Sequence, residues 1–249
     1  MKTVLLAAGI GQRLGDVSAN LPKCLLKFAG KTLLQRHLGI LKHFAVSEII
    51  IITGYQSDLV EQEIVRVGND GHIRIVENPD YRKGSIISML LGLQALANEP
   101  DIILMDTDVL YDYRILERLL ITRHQNCFLL DRNFEQGEEP VKLCVRDEQL
   151  IEFRKKIDDN LKFDYQGESV GFFRFNNDTA DKLIQSANNY LARGEDTQPY
   201  EECIRDLLLM DPGSFGFEDI TGLEWIEIDF PEDINRANTE ILPKILQLN

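Results

Sequence analysis

The chain has 249 residues, of which 44% are hydrophobic and 27% are charged, and its formal net charge is −14. This apolar content excludes an intrinsically disordered chain, and the Gly, Pro and Cys counts exclude collagen-like and disulfide-rich classes. Because phosphate backbones need clustered Lys and Arg, the acidic balance argues against a nucleic-acid-binding surface. Any anionic ligand must therefore meet a local group of basic residues or bring a metal ion.

The cysteines and the N-terminus indicate a cytoplasmic protein. The four cysteines form no CxxC pair and lack zinc-site spacing, so we expect free, reduced thiols. The apolar run Val4–Ala8 is too short for a signal-peptide core, and no stretch reaches the roughly 18 apolar residues of a membrane span. We expect no membrane insertion, and a homodimer only because dimers are the commonest assemblies.

The first half of the chain alternates short apolar strands with helices. The run Ile49–Ile52 is typical of a strand that is buried on both faces. The repeated strand–helix order predicts a Rossmann-like α/β fold, with a mostly parallel sheet and helices on both faces. The predicted strands are Thr3–Ala8, Glu48–Thr53, His72–Val76 and Asp101–Met105, and the predicted helices are Lys31–Phe44, Ser57–Val67, Ser85–Ala97 and Asp112–Leu120.

The second half differs, because its first strands predict a small antiparallel insert. These strands are Pro140–Val145, Gln149–Phe153 and Ser169–Phe175. Further on we predict helices at Thr179–Leu191 and Pro199–Leu209, a strand at Trp225–Ile228, and a helix from about Pro231 to the end. Without a linker or repeat, we expect one domain over residues 1–249, with a nucleotide-binding half (about 1–125) and an acceptor-binding half (about 126–249).

A glycine-rich loop, LAAGIGQRLG from Leu6 to Gly15, follows the first predicted strand. Glycines let the backbone approach a ligand so that N–H groups face phosphate oxygens. The loop lacks the Lys-Ser/Thr of a Walker A motif, and Leu14 stands where a dinucleotide fingerprint needs glycine. A tight turn without a ligand is the alternative. However, Arg13, Lys23 and Lys27 form the basic cluster that a triphosphate requires.

The motif LAAGxGxRL, followed by Pro22-Lys23 and a GK-x-L-L segment, resembles the MobA-like and sugar-phosphate nucleotidyltransferases, which activate phosphorylated small molecules with an NTP. The resemblance continues through Glu77–Leu93, Met105–Leu110 and Glu224–Ala237, and it implies a GT-A-type version of the α/β fold. The nearest branch resembles the cytidylyltransferases for phosphocholine, phosphoethanolamine, aminophosphonates and inositol phosphate. Gly84–Ser88 carries their G-x-x-x-S-like pattern, where sugar-1-phosphate branches often carry G-T-A-x-A.

The resemblance implies roles for residues on the nucleotide side. Asp108 and Asp229, each beyond a buried strand, would hold Mg²⁺, and Asp106 is a weaker candidate. Arg13 would hold the β- and γ-phosphates together with the loop glycines, and Lys23 would neutralise charge nearer the α-phosphate. The residues expected to hold the phosphates and border the base are Leu6, Ala7, Ala8, Gly9, Gly11, Tyr55, Gly84, Ser85 and Ser88.

On the acceptor side, Lys155 resembles a family lysine that meets the acceptor's phosphate, and Lys156 is the alternative. An amine or quaternary ammonium head needs acids and aromatic faces. The candidates are Glu168, Tyr200, Glu201 and Trp225. Glu168 is equally suited to an inositol hydroxyl, and packing or helix capping are the alternative roles of Trp225 and Glu201.

The function expected is Mg²⁺-dependent transfer of CMP from CTP to a small phosphorylated alcohol or phosphonate, with release of pyrophosphate. A sugar-1-phosphate nucleotidyltransferase that uses UTP, dTTP or GTP is the first alternative. A glycosyltransferase would share the Asp106–Asp108 motif, but it has no γ-phosphate for Arg13 and Lys23 to hold. A non-catalytic nucleotide-binding module is disfavoured because Arg13, Lys23, Asp108 and Asp229 are all present.

Overall fold

The computed structural model describes residues 1–18, 21–68, 71–96, 100–135 and 137–246. The strands are β1 (Lys2–Ala7), β2 (Lys27–Phe28), β3 (Lys31–Thr32), β4 (Glu48–Thr53), β5 (Ile73–Glu77), β6 (Asp101–Asp106), β7 (Val109–Tyr111), β8 (Asn126–Asp131), β9 (Lys142–Arg146), β10 (Gln149–Arg154), β11 (Tyr165–Asn176), β12 (Phe215–Asp219) and β13 (Trp225–Glu227). The α-helices are α1 (Leu33–His43), α2 (Ser57–Val67), α3 (Ser85–Ala95), α4 (Tyr113–Ile121), α5 (Asn177–Ala192), α6 (Tyr200–Met210) and α7 (Pro231–Arg236).

A nine-stranded sheet organises these elements. Its centre is parallel, in the order β6-β1-β4-β5, and β11 continues it antiparallel beside β6. The predicted α/β fold with a mostly parallel sheet is confirmed at this centre. The predicted antiparallel strands are confirmed as well: β9, β10 and β11 pair antiparallel, and they extend the same sheet. With 12 residues, β11 is long enough to pair with β6 through Phe172–Asn176 and with β9 through Tyr165–Glu168.

Helices cover both faces of the sheet, as predicted. Along β4, Ile50 and Ile52 point to the side of α3, α5 and α6, while Ile49 and Ile51 point to the side of α1, α2 and α4. Successive side chains of a strand alternate between faces, so a strand buried on both faces must be apolar at every position. The two core layers therefore explain why the sequence has an isoleucine at each of these four positions.

Strands β8 and β12 were not predicted. Strand β8 is buried throughout and pairs with β11, and β12 lies parallel beside it. The β12 sequence, Phe-Gly-Phe-Glu-Asp, contains a glycine and two acids that are typical of loops. The glycine is required by packing, because a Cβ on Gly216 would overlap the ring of His124. Strand β12 thus depends on a partner that only the tertiary fold supplies.

Two helix boundaries also differ from the prediction. Helix α1 begins at Leu33 rather than Lys31, because Thr32 caps it: the Thr32 hydroxyl accepts a hydrogen bond from the Gln35 N–H. The last helix does not reach the end of the chain. Helix α7 passes into a π-helical turn at Ala237–Ile241, and Pro243, which has no N–H, follows. Ala97 and residues 247–249, which fell within predicted helices, lie outside the described residues.

Among the helices that the structure describes, none has the length and apolar character needed to cross a membrane. All four cysteines are buried free thiols.

The contact between α3 and β1 gives a test of the packing. A Cβ on Gly92 would overlap a methyl group of Val4, which is fully buried and stiff about χ1. We expect Gly92→Ala to lower the free energy of unfolding by about 1–3 kcal/mol in urea titrations. In the matched control Gly39→Ala, on α1, the new Cβ meets nothing within 4 Å, and we expect a gain of about 0.5–1 kcal/mol. If Gly92→Ala raised the free energy of unfolding as Gly39→Ala does, the close contact between Gly92 and Val4 would be contradicted.

Candidate active site

The cleft lies where two neighbouring parallel strands end. Strands β1 and β6 run side by side, with Leu6 opposite Asp106, and the Thr107 hydroxyl donates to the Leu6 carbonyl at 2.7 Å. The segments that follow the two strands therefore meet at one edge of the sheet, where open α/β folds bind ligands. A cleft of about 460 Å³ opens there, and it is lined by the glycine loop, Lys23, the Tyr81–Ser85 segment, Ser88, the Asp106–Asp108 segment and Asp229.

Two aspartates that are distant in the sequence meet at the floor of this cleft. Strand β13 pairs antiparallel with β7, with Glu227 opposite Val109, and the Ile228 N–H donates to the Asp108 carbonyl at 2.9 Å. The carboxylate of Asp233, in the first turn of α7, accepts hydrogen bonds from the N–H groups of Asp229 and Phe230 at 2.9 and 2.7 Å. The short ladder and this cap fix the backbone of Asp229 beside that of Asp108.

The ammonium group of Lys23 bridges the two carboxylates. Its Nζ lies 2.8 Å from Asp108 Oδ2 and 2.5 Å from Asp229 Oδ1. Burial opposes the charged form of Lys23, but the two aspartates outweigh this effect and raise its pKa well above the usual value. Burial likewise opposes the charge of Asp229, but Lys23 holds its pKa below the usual value. Lys23 therefore remains a cation at any working pH.

Local structure carries Lys23 to this position. Lys23–Leu25 form a single 3₁₀ turn after Pro22, anchored by the buried side chains of Cys24 and Leu25. The Lys23 side chain then crosses the glycine loop. Gly11 has a φ of +67°, and a Cβ there would lie 2.9 Å from Lys23 Cγ. A glycine is needed at this position both for the left-handed backbone and for the close approach.

Arg13 and Lys155 share a second acidic partner at the mouth of the cleft. Arg13 donates to Glu139 Oε2 at 2.7 Å and to Asp229 Oδ2 at 2.9 Å, and Lys155 Nζ lies 3.1 Å from the same Glu139 oxygen. Burial disfavours the Arg13 charge, but Asp229 and Glu139 outweigh it and raise its pKa. Lys156, the alternative to Lys155, is exposed. Of the predicted basic cluster, Arg13 and Lys23 line the cleft and are held by carboxylates, whereas Lys27 is exposed on β2 and does not line it.

Glu227 joins the two aspartates to form a candidate metal site that the sequence analysis missed. One carboxylate oxygen from each of Asp108, Glu227 and Asp229 lies within 4.8 Å of the others. Glu227 could have been found from its spacing, because residues two apart on an extended segment share a face. Glu227 is the exposed member of the group, and its partial desolvation beside Asp108 and Asp229, together with their charges, raises its pKa above the usual value. This hard-oxygen set suits Mg²⁺.

Asp106, the weaker metal candidate, is not part of this group. The hydroxyl of Tyr200 donates to Asp106 Oδ2 at 2.6 Å, and the same oxygen lies against Gly171, where a Cβ would overlap it. Burial and the nearby charges of Asp108 and Glu201 raise the Asp106 pKa well above its usual value. Tyr200, predicted to contact the acceptor, is 3% exposed and lies behind the cleft wall, where it is bonded to Asp106 of that wall.

The predicted nucleotide-binding residues line the cleft, with one exception. Leu6, Ala7 and Ala8, the loop glycines, Gly84, Ser85 and Ser88 all face it. Tyr55 does not line it; its N–H donates to the Ala8 carbonyl at 3.1 Å, and its ring packs 6.3 Å from that of Tyr81. Tyr81, which the sequence analysis did not select, takes a place in the cleft wall instead.

A second cavity of about 520 Å³ lies on the other side of Asp229, which lines both spaces. Of the predicted acceptor-binding residues, Glu168 and Trp225 line this cavity. The indole N–H of Trp225 donates to Asp131 Oδ2 at 2.8 Å, which fixes the ring in the wall. Glu201 lines neither cavity, and its Oε2 is buried without a hydrogen-bond partner among the described residues.

The second cavity is strongly acidic. Of the described residues that line it, nine are acidic, and Arg236 alone is basic. Glu168 has no hydrogen-bond or ion-pair partner in the described part of the chain, and burial, followed by the charge of Asp131, raises its pKa to about 7. Lys142 lies opposite Glu168 on the neighbouring strand β9. Its ammonium group donates instead to the carbonyls of Gly137, Pro140 and Lys155. Lysines outside the lining pair with three of these acids, Glu139, Glu224 and Asp229. The remaining acids still leave the cavity with an excess of negative charge.

Comparisons with known proteins agree with this architecture. Residues 3–159 match the family described as the MobA-like NTP transferase domain. The chain is 26% identical, over 250 residues, to the CMP-5'-(3-aminopropyl)phosphonate synthase of Streptomyces rubellomurinus, with 98% of this chain and 39% of that protein covered. The chain thus spans about two fifths of the length of this curated relative.

Two solved structures have the same fold over nearly the whole chain. One is the inositol-1-phosphate CTP transferase from T. maritima, with a TM-score of 0.75, 19% identity, and coverage of 99% of this chain and 98% of that one. The other is the CTP:phosphocholine cytidylyltransferase from Streptococcus pneumoniae, with a TM-score of 0.73, 22% identity, and coverage of 97% and 98%. Because the family match spans more than half of the chain, this protein belongs to the MobA-like NTP transferase domain family, and the nucleotidyltransferase domain predicted from its motifs is confirmed.

Proposed function

We propose that this protein is a Mg²⁺-dependent cytidylyltransferase, which transfers CMP from CTP to a small phosphorylated alcohol or phosphonate and releases pyrophosphate. The arrangement of Lys23 between Asp108 and Asp229 carries this proposal, because it places cation-binding carboxylates and a charged lysine beside a glycine loop. The choice of CTP is supported by the three similar proteins, whose names all contain CTP or CMP.

On the nucleotide side, the chain supplies backbone N–H groups and two cations. Gly9 and Gly11 bring the loop backbone close to the β- and γ-phosphates, and Arg13 exchanges its carboxylate partners for phosphate oxygens. Lys23, already charged, turns from the aspartates to the α-phosphate. These groups neutralise the charge that develops on the departing pyrophosphate, and such preorganised contacts supply most of the rate in phosphoryl transfer.

The carboxylates of Asp108, Glu227 and Asp229 would hold the magnesium ion. When bound, the ion would neutralise negative charge on the nucleotide's phosphates and polarise the α-phosphate. With Asp108, Glu227 and Asp229 engaged in holding the ion, the Lys23 ammonium would be available to the substrate.

On the acceptor side, no general base is required. An oxygen of the acceptor's phosphate or phosphonate is already anionic; it forms a bond to the α-phosphorus while the bond to the bridging oxygen of pyrophosphate breaks. The residues therefore have to orient two anions against each other, and orientation is worth several kcal/mol. Lys155, now paired with Glu139 at the cleft mouth, is positioned to neutralise the acceptor's anionic group.

The second cavity favours an acceptor whose head group is a cation. Its excess of acids opposes a second anion, and the aromatic residues Phe134 and Trp225 in its lining suit an ammonium group. The half-buried carboxylate of Glu168 has no ion-pair partner in the described part of the chain, and such a head group would supply one. Amino-alcohol phosphates and aminophosphonates fit this cavity better than neutral polyol phosphates do.

Pyrophosphate release with Mg²⁺ tests the proposed reaction directly. CTP, UTP, dTTP, GTP and ATP are crossed with phosphocholine, phosphoethanolamine, 2-aminoethylphosphonate, inositol-1-phosphate and glucose-1-phosphate. We expect turnover with CTP and a non-sugar acceptor, and a loss of about 100-fold or more in kcat for Asp108→Asn, because a preorganised charge contact is removed. Turnover only with glucose-1-phosphate and another NTP would overturn the proposal.

The metal site has a test that does not depend on activity. Lys23→Met removes the counter-ion of two part-buried carboxylates, so we expect it to lower stability by about 3 kcal/mol in a thermal melt without metal. Magnesium should then raise the melting temperature of Lys23→Met more than that of the wild type, because lysine no longer competes. Lys31→Met, which removes an exposed lysine, is the control. If magnesium raised the melting temperature of all three proteins equally, the ion would bind elsewhere. The same would follow if the effect of magnesium persisted in the double variant Lys23→Met/Asp108→Asn.

Matched acceptor pairs test the cationic head group. Phosphocholine is compared with 3,3-dimethylbutyl phosphate, and 2-aminoethylphosphonate with propylphosphonate, because each pair differs in charge at nearly constant shape. We expect Glu168→Gln to lower kcat/KM about 10-fold for the cationic member alone, because it removes the electrostatic attraction between a carboxylate and a nearby cation, which is worth about 1–4 kcal/mol at 4 Å.

The pKa of Glu168, about 7, adds a pH dependence to this test. Glu168 binds a cation only when ionised, so KM for the cationic acceptor should fall as pH rises through 7 in the wild type and not in Glu168→Gln. The control Glu138→Gln removes a charge from the exposed rim of the same cavity and should change little. Equal use of both members of each pair, or preference for inositol-1-phosphate, would contradict a cationic acceptor while leaving the cytidylyltransferase reaction intact.

A further inference from the structure

Asn78 is a fully buried polar residue that the proposed reaction has not used so far. It follows β5, and its own N–H donates to the Thr53 carbonyl at 2.8 Å. Its side-chain Oδ1 accepts a hydrogen bond from the Asp80 N–H at 2.9 Å, and its Nδ2 donates to the Ser88 Oγ at 2.9 Å. The side chain thus connects the turn after β5 with the first turns of α3.

These contacts fix the orientation of the carboxamide. A backbone N–H can only donate, so the Asn78 atom that faces Asp80 must be the oxygen. The amide nitrogen must then face Ser88, and the serine oxygen is the acceptor of that bond. The two assignments hold together, because reversing the amide would place a donor against the Asp80 N–H.

The hydroxyl proton of Ser88 is therefore left to be donated elsewhere. Ser88 is 5% exposed and lines the cleft wall, and its hydroxyl donates to no residue that the structure describes. Ser85, the other serine on this wall, is exposed to solvent, and its oxygen accepts from the Tyr200 N–H at 3.0 Å. A buried donor without an acceptor is costly, so Ser88 has an unmet hydrogen bond that a ligand in the cleft can satisfy.

We propose that Asn78 is a positioning residue that makes Ser88 a hydrogen-bond donor to N3 of the cytosine ring, and so makes the site select CTP over UTP. This proposal rests on the cytidylyltransferase function proposed above. N3 of cytosine carries a lone pair, whereas N3 of uracil carries a hydrogen, so a fixed donor is paired in one case and opposed in the other. Sites that hydrogen-bond a substrate reject analogues that leave the buried group unpaired.

Equilibrium binding measures this without knowledge of the acceptor. Dissociation constants of the full chain for CTP, UTP and 3-deaza-CTP, in which a C–H replaces N3, are measured by calorimetry with Mg²⁺. We expect CTP to bind at least about 10-fold more tightly than the other two, and Ser88→Ala to bring CTP down to the level of 3-deaza-CTP. Ser85→Ala should leave the CTP to 3-deaza-CTP ratio unchanged, whatever it does to overall affinity.

Asn78→Asp separates a positioning role from a merely structural one. The carboxylate has nearly the same shape and still accepts from the Asp80 N–H, but it accepts the Ser88 proton instead of donating to its oxygen. Ser88 then turns a lone pair to the cleft, so we expect the preference to shift toward UTP, whose N3–H can donate. Asn78→Leu, which removes both bonds, should weaken the preference without reversing it, and thermal melts of each variant confirm that it is folded.

The outcomes separate this inference from the function on which it rests. Failure of the wild type to bind any of the three nucleotides would overturn the proposed function. Two outcomes would overturn the role of Asn78 while the wild type still binds CTP, and both leave the proposed function standing. In one, Ser88→Ala lowers the affinities for CTP and 3-deaza-CTP equally. In the other, Asn78→Asp leaves the order of the CTP and UTP affinities unchanged.

Discussion

The site depends on one ion-pair network, in which the ammonium of Lys23 holds together two aspartates that would otherwise repel each other. Oxygens of Asp108, Glu227 and Asp229 lie within 4.8 Å, a separation at which like charges repel by on the order of 3 kcal/mol per pair at an effective dielectric constant of about 20. The pairing of β7 with β13 creates this repulsion, and the Lys23 turn relieves it. Gly11 is a consequence, because only a residue without a side chain lets Lys23 cross the loop.

The same logic explains how an acidic protein accommodates an anionic substrate. The net charge of −14 gives no long-range attraction for a nucleoside triphosphate, so binding must come from a few cations at short range. Arg13, Lys23 and Lys155 are already arranged around the cleft, each paired with a carboxylate. These pairs keep the cations in place without substrate. Exchanging a carboxylate for a phosphate then requires little reorganisation, which is the condition for electrostatic catalysis.

How much of this could be predicted from the sequence follows from the range of the interactions. The parallel core strands were predicted because burial on both faces imposes an apolar run, and Asp108 because strand ends face ligands. Strand β12 could not be predicted, since its loop-like sequence is extended only beside β8. Tyr200 lies behind the cleft wall because its hydroxyl donates to Asp106, and the sequence alone does not indicate this pairing. Glu227 could have been predicted from the alternation of side chains along a strand, which places it on the same face as Asp229. Only the fold shows that both residues lie beside Asp108.

Charge and hydrogen bonding divide the work of recognition in this cleft. Lys23, Arg13 and the carboxylates act on phosphates, which all nucleoside triphosphates share, so no arrangement of them distinguishes one base from another. Discrimination must come from groups whose donor or acceptor character is fixed, and a freely rotating hydroxyl does not have that property. Asn78 fixes the donor character of Ser88. The carboxamide oxygen of Asn78 is bonded to a backbone N–H, so its nitrogen donates to the serine oxygen and the serine proton must point elsewhere. The residue that sets specificity thus lies behind the residue that contacts the ligand, as the support of a preorganised group must.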